Sequence, residues 1–237
     1  MLLDELPGFR RRFRITPGAG KIQCEVEDDF HCMSVVVHHD GTIVRGMEAD
    51  MRRAPWTTCP GAEAKVRQTF VGEALADFGR CSDKRSNCTH LYDLALLAAA
   101  HANDDQPLVY DILVSDPLAN ERRAEVRRNG DCVLWWVEKG FVLQEPAGAA
   151  GLRLDKLKPW IASLAAELQE PAKLLQWGNM LANGRTIPLE NQSDASKMPP
   201  SCYTFQPERK QVAKRVGEIK DFSEGSEQPL DKFEPAW

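Results

Sequence analysis

Five histidines and seven cysteines are the side chains of this chain best suited to proton transfer, nucleophilic attack or metal binding. His31, His38, His39, His90 and His101 lie within the first 101 residues, as do Cys24, Cys32, Cys59, Cys81 and Cys88; Cys132 and Cys202 lie beyond. Asp29 and His31 fall on one face of a strand under i, i+2 alternation. A carboxylate beside an imidazole fixes its tautomer and strengthens it as a general base or acid near neutral pH. Cys59 stands just before Pro60, and Cys88 follows Asn87, so both are expected at helix starts. A helix N-terminus favours anions, which predicts lowered thiol pKa values and suits a nucleophile, a ligand or an acid/base partner. Both are also small enough to fill a helix start as buried neutral thiols, and the two readings stay open. His90 lies two residues after Cys88, in the first turn, where a neutral acceptor is expected. The catalytic set is therefore Asp29, His31, Cys59 and His90.

A substrate-binding set surrounds it. Trp56 offers a ring for stacking on an aromatic substrate, in a loop that leads straight to Cys59. Arg53, beside Arg52, offers a fork for a carboxylate. Thr58, Cys88 and Tyr92 complete the set. His38 and His39 are expected at the surface beside a turn, and His101 at a helix C-terminus, where a cation is favoured. Cys24, Cys81, Cys132 and Cys202 read as structural, and Trp135 and Trp136 as core. The chain has no CxxC, HxxxH or HExxH spacing, so no resident metal is assigned. A zinc or iron–sulfur binding module on Asp29, His31, Cys59, Cys88 and His90 is one alternative, because mixed N, O and S donors suit zinc; a non-catalytic small-ligand-binding protein is the other. Phosphate-cradling glycine loops and the GxSxG elbow are absent as well.

The elements that must hold these residues follow from periodicity. IQCEVEDD (22–29) alternates like a half-buried strand, FHCMSVVVH (30–38) reads as a more apolar strand, and Asp40-Gly41 makes a tight turn into a third strand over 42–51. A helix follows Pro60. Another, NCTHLYDLALLAAAHAN, has a broad apolar face, with Asn87 as its cap. Residues 107–145 are strand-rich, with turns at Asn129-Gly130 and Lys139-Gly140. Residues 152–185 are helical, broken at Pro159 and Pro171, and a short helix starts at Pro207. The expected domains are a lead-in arm (1–21) with a solvated arginine stripe, an α+β domain carrying the site (22–106), a strand–helix extension (107–216) and an acidic mobile tail (217–237). The fold class is α+β: an antiparallel sheet with helices packed on one face, plus a strand-rich and helical C-terminal half.

Three segments, EDDFHCMSVVVHHDGTIV, RRAPWTTCPGAEAKV and NCTHLYDLA, resemble the hallmarks of a bacterial domain family of unknown function. SCYTFQPER and KDF also fit it, so the resemblance covers nearly the whole chain. It implies a role in breaking down lignin-derived aromatic dimers such as phenylcoumarans. The implied step is loss of a one-carbon unit, as formaldehyde, by a cofactor-independent carbon–carbon lyase. Separately, the order of three strands and two cysteine-opened helices over 22–102 resembles the IscU/NifU-like iron–sulfur scaffold fold. That fold places ligands near Asp29/His31, Cys59 and Cys88. Here Cys59 is flanked by Trp56 and Pro60, and Asn87 stands where that family has a histidine.

Composition bounds the rest. The 237 residues carry 30 Lys+Arg against 35 Asp+Glu, a formal charge of -5, and mean hydropathy is low. From Gly217 onward six acids face two lysines, so this stretch supplies -4 of the -5. A nearly neutral body makes a nucleic-acid backbone a poor partner. No apolar run reaches the roughly 18–20 residues of a membrane helix. The opening MLLDELPGFRRRFR lacks the apolar core of a secretion signal, which predicts a reducing cytoplasm with free thiols. The expected ligand is an aromatic small molecule, with no cofactor, no nucleic acid and no membrane; a homo-oligomer is left open.

Overall fold

The computed structural model describes residues 2–80 and 84–234. Cys81 lies outside the described residues, as do Met1 and the last three positions of the acidic stretch. The strands are β1 (Gly8–Gly18), β2 (Lys21–Asp28), β3 (Cys32–His39), β4 (Val44–Arg53), β5 (Leu108–Ser115), β6 (Glu121–Arg128), β7 (Asp131–Lys139) and β8 (Val142–Glu145). The α-helices are α1 (Ala62–Phe70), α2 (Thr89–Ala100), α3 (Lys158–Ser163), α4 (Ala166–Ala182) and α5 (Pro207–Lys210). The class is α+β, with the strands in the order β4-β3-β2-β1-β5-β6-β7-β8. No helix among the described residues is long and apolar enough to cross a membrane.

The chain divides into two compact units. One comprises Phe13–Leu108, Leu189–Lys220 and Lys232–Trp237; the other comprises Met1–Arg12, Val109–Pro188 and Asp221–Asp231.

The first unit holds every candidate residue. Its strands β2–β3 and β3–β4 pair antiparallel. Alternation puts Ile22, Cys24 and Val26 of β2 on one face and Glu25 and Glu27 on the other. Helix α2 packs on β2 and β3, and α1 packs on β4. Leu91, Leu94, Ala95 and Ala98 of α2 and Val66 and Phe70 of α1 are buried. The carboxylate face of β2 does not meet water, as a half-buried strand would predict. Glu25 is buried against Arg14 and Arg52, at 2.7 and 3.2 Å, and Glu27 against Arg53 and Lys220, both at 3.1 Å. Arg52 also stacks on Phe233, 4.5 Å from the ring centroid. Buried carboxylates persist when each has cationic partners.

The second unit pairs β5–β6, β6–β7 and β7–β8 antiparallel, with α4 on β6 and β7. Trp136 is fully buried, and its indole N–H donates to Asn179 Oδ1 at 2.7 Å; its neighbour Trp135 is half exposed. Pro171 does not break the helical stretch but lies inside α4. A proline there supplies no N–H to the carbonyl four residues back. That carbonyl, on Glu167, instead accepts from Arg128 Nη2 at 3.1 Å.

Both termini differ from expectation. Residues 8–18 form a strand where a lead-in arm was expected, and Arg10 and Arg11 are buried. Arg10 Nη2 donates to the carbonyls of Leu3 and Leu6. The acidic stretch is packed: Phe222 and Leu230 are buried, and Arg185 Nη2 donates to Asp221 at 2.7 Å. Ion pairs and two apolar anchors hold a segment whose charge alone suggested mobility.

Candidate active site

The link between β2 and β3 is a tight turn, Asp28-Asp29-Phe30-His31. Asp28 Oδ1 accepts the backbone N–H of Phe30 and of His31, both at 2.8 Å, and Asp28 N–H donates to His31 O at 2.9 Å. An aspartate does this readily because its short side chain reaches the amides two and three residues on. The same oxygen lies 3.0 Å from His31 Nδ1, and Oδ2 lies 3.3 Å from it. The carboxylate that meets His31 is therefore Asp28, not Asp29. Strand alternation pointed to Asp29, but alternation ends at Asp28, and the turn brings residues i and i+3 together. Asp29 is buried, and its carbonyl accepts from Arg53 Nη1 at 2.7 Å and from Lys220 N–H at 2.9 Å.

Helix α2 delivers the third member. His90, half-buried in the first turn, stacks on His31 with ring centroids 4.0 Å apart and planes inclined by 31°. Ligand-capable atoms of Asp28, His31 and His90 all lie within 4.8 Å of one another, the one such cluster among the described residues. With Asp28 accepting from Nδ1–H, His31 keeps Nε2 as its basic nitrogen. Two imidazoles in contact, one oriented by a carboxylate, can pass protons to and from a bound substrate.

The cysteines sit differently. Cys59 opens the turn before α1, and its Sγ lies 3.3 Å from Thr204 Oγ1; Thr58 Oγ1 donates to the same hydroxyl at 3.2 Å. Around it Trp56, Ala195 and Phe205 form an apolar cluster. Burial pushes the Cys59 thiol up despite the Thr204 contact, and pushes Cys88 up to about 12. Lowered thiol pKa values were expected at both helix starts. Desolvation of a thiolate outweighs the helix dipole here, so both are neutral thiols near pH 7. The cap of α2 is Cys88 itself, with no side-chain hydrogen bond to the helix; Asn87 instead accepts from Thr69 Oγ1 at 3.1 Å.

The expected substrate-binding residues are used within the chain. Trp56 is buried, with Phe205 edge-on at 5.6 Å and the Arg215 guanidinium 5.5 Å from its ring centroid. Tyr92 points into the core, its ring 5.1 Å from Phe70 and its hydroxyl donating to Phe78 O at 3.4 Å. Arg53 binds the carbonyls of Asp28 and Asp29. His38 pairs with Glu48 at 2.8 Å, and His101 caps α2 with its backbone N–H while Nδ1 meets Asp104 at 2.6 Å. His39 is not at the surface. It is buried, its Nδ1 accepts from Gly41 N–H at 3.1 Å, and burial lowers its pKa from the usual 6.5.

Two residues of the site escaped sequence reasoning. Asp28 was legible as an Asp-x-x-His turn, had strand alternation not been carried one residue too far. Lys220 comes from a segment remote in sequence and left no local signal.

Residues 14–103 match a family model described as a protein of unknown function (DUF2889). That span contains Asp28, His31, Cys59, Cys88 and His90. No curated protein matches the chain.

Proposed function

We propose that Asp28, His31 and His90 form the acid–base centre of a cofactor-independent carbon–carbon lyase. The substrate class is the one the sequence resemblance implies, a hydroxymethyl-bearing aromatic dimer of the phenylcoumaran type. His31, oriented by Asp28, takes the hydroxymethyl O–H proton at Nε2. The oxygen pair forms the C=O of formaldehyde as the adjacent carbon–carbon bond breaks. That bond's electron pair becomes a carbon–carbon double bond and expels the neighbouring aryl ether oxygen. His90 gives that departing oxygen a proton. Electrons balance without an oxidant or reductant, since one σ-bond pair forms the alkene and another leaves with the phenol. His90 takes the acid role ahead of Cys59 and Cys88 because it touches His31, while both thiols are buried.

The observation that carries this reading is the 3.0 Å contact between Asp28 and His31 Nδ1 beneath the stacked His90 ring. Formaldehyde release by full-length protein tests it. Removing a positioned acid or base typically costs about 10²–10⁴-fold in rate, so His31→Ala and His90→Ala are each expected to lose that much. Full activity in both variants would falsify the assignment.

A second reading is a divalent-metal site on the same residues, in line with the resemblance to the iron–sulfur scaffold fold. Donor atoms within 4.8 Å of one another favour it, and two imidazoles with a carboxylate suit zinc. Elemental analysis separates the two. The acid–base reading expects substoichiometric metal and full turnover after chelation; one bound equivalent whose removal abolishes turnover supports the metal.

A further inference from the structure

Arg53 is the last residue of β4 and reaches the β2–β3 turn across a bulge. Met51 pairs with Met33, but Arg53 pairs with Cys32, so Arg52 is an extra residue on β4. A bulge of this kind re-aims the side chains beyond it. Arg53 Nη1 donates to Asp29 O at 2.7 Å and to Glu218 O at 3.3 Å. Its Nη2 donates to Asp28 O at 2.6 Å, to Glu27 Oε1 at 3.1 Å and to His31 O at 3.3 Å. One planar group thus gathers three carbonyls of the four-residue turn. The Arg53 and Glu27 side chains are 10% and 2% exposed. Glu27 Oε1 also accepts from Lys220 Nζ at 3.1 Å, and Lys220 N–H closes on Asp29 O at 2.9 Å.

We propose that Arg53, braced by Glu27 and Lys220, is the positioning residue of the acid–base centre. It fixes the turn's backbone so that Asp28 Oδ1 meets His31 Nδ1; the proposal rests on the acid–base reading of that pair. Asp28 Oδ1 accepts from Phe30 N–H, His31 N–H and His31 Nδ1. Of these donors, Phe30 N–H shares its peptide plane with Asp29 O, which Arg53 Nη1 holds, and His31, which supplies the other two, has its own carbonyl held by Nη2. The rigid fork of a guanidinium can hold several acceptors in a fixed relation, which a single ammonium cannot. Arg53 therefore acts through Asp28 and does not touch substrate.

The test uses the full-length protein and the variants Arg53→Gln, Arg53→Lys and Asp28→Asn. The ¹⁵N spectrum of the imidazoles reports which nitrogen of His31 carries the proton, and formaldehyde release gives kcat and KM. The expected result is an Nδ1–H tautomer of His31 in the wild type and a shift toward Nε2–H in both Asp28→Asn and Arg53→Gln. Misplacement of about 1 Å can cost about 10²-fold, so kcat of Arg53→Gln falls by that order with KM unchanged. Arg53→Lys restores part of kcat. A folded Arg53→Gln protein that keeps the Nδ1–H tautomer, or that changes KM alone, overturns the proposal. If Arg53→Gln does not fold, Lys220→Gln decides: a partial tautomer shift supports the brace, and an unchanged tautomer overturns it. A tautomer shift in a protein whose wild type releases no formaldehyde keeps the positioning role and discards the lyase reading.

Discussion

A thiol at a helix start feels two opposing influences. The helix dipole favours its anion, and burial disfavours it. At Cys59 and Cys88 burial wins, and the thiols stay protonated. Alkylation at pH 8, mapped by mass spectrometry, is therefore expected to modify exposed Cys132 readily, and Cys59 and Cys88 only after unfolding. Rapid labelling of either in the folded protein would contradict their burial. His39 gives a pH prediction. Its folded pKa lies below the usual 6.5 because its ring is desolvated. Below about pH 6.5 the unfolded chain therefore binds a proton that the folded chain does not, and stability falls as pH falls until the folded value is passed. His39→Gln should flatten the fall in urea midpoint across that window, and an unchanged slope would refute it. At this scale the sequence marked His31 and His90 as candidates but could not pair them. Their contact depends on where α2 lies over β2 and β3, and no local spacing encodes that.

Elements were more legible than contacts. The alternation of IQCEVED, the Asp40-Gly41 turn and the apolar face of α2 each fixed an element to within a few residues, because local periodicity follows from backbone geometry. The misses came where a remote partner supplied what the local sequence lacked. Pro171 stays inside α4, where Arg128 takes the orphaned carbonyl, and residues 8–18 become a strand between the adjacent β2 and the remote β5. Close approach of α4 to β5 yields a further prediction. A Cβ on Gly178 would stand 2.5 Å from Ile112 Cγ2. Gly178→Ala should therefore destabilise the protein by about 1–3 kcal/mol from overpacking, against the gain of up to about 1 kcal/mol expected from helix propensity alone. Chemical denaturation measures the balance, and a stabilised variant would contradict the packing.

Across the whole chain, net charge was a poor guide to order. The stretch from Gly217 carries most of the negative charge, yet Phe222 and Leu230 within it are buried and Lys220 braces the candidate site. Large-to-small changes at buried aromatics cost about 3–5 kcal/mol, so Phe222→Ala should lower stability by that amount. A loss below about 0.5 kcal/mol, the size of an ordinary surface change, would mean the segment is not packed. Composition pointed only to an ordinary globular chain, whereas the proposed function rests on three side chains, Asp28, His31 and His90, brought together by one turn and one helix start. The most direct test is formaldehyde release from a hydroxymethyl-bearing phenylcoumaran by chelated wild-type protein, with His31→Ala and His90→Ala assayed beside it. The account predicts one formaldehyde per alkene product from the wild type and a rate at least about 10²-fold lower in each variant. Formaldehyde release that persists unchanged in both variants, or its absence from the wild type, would contradict it.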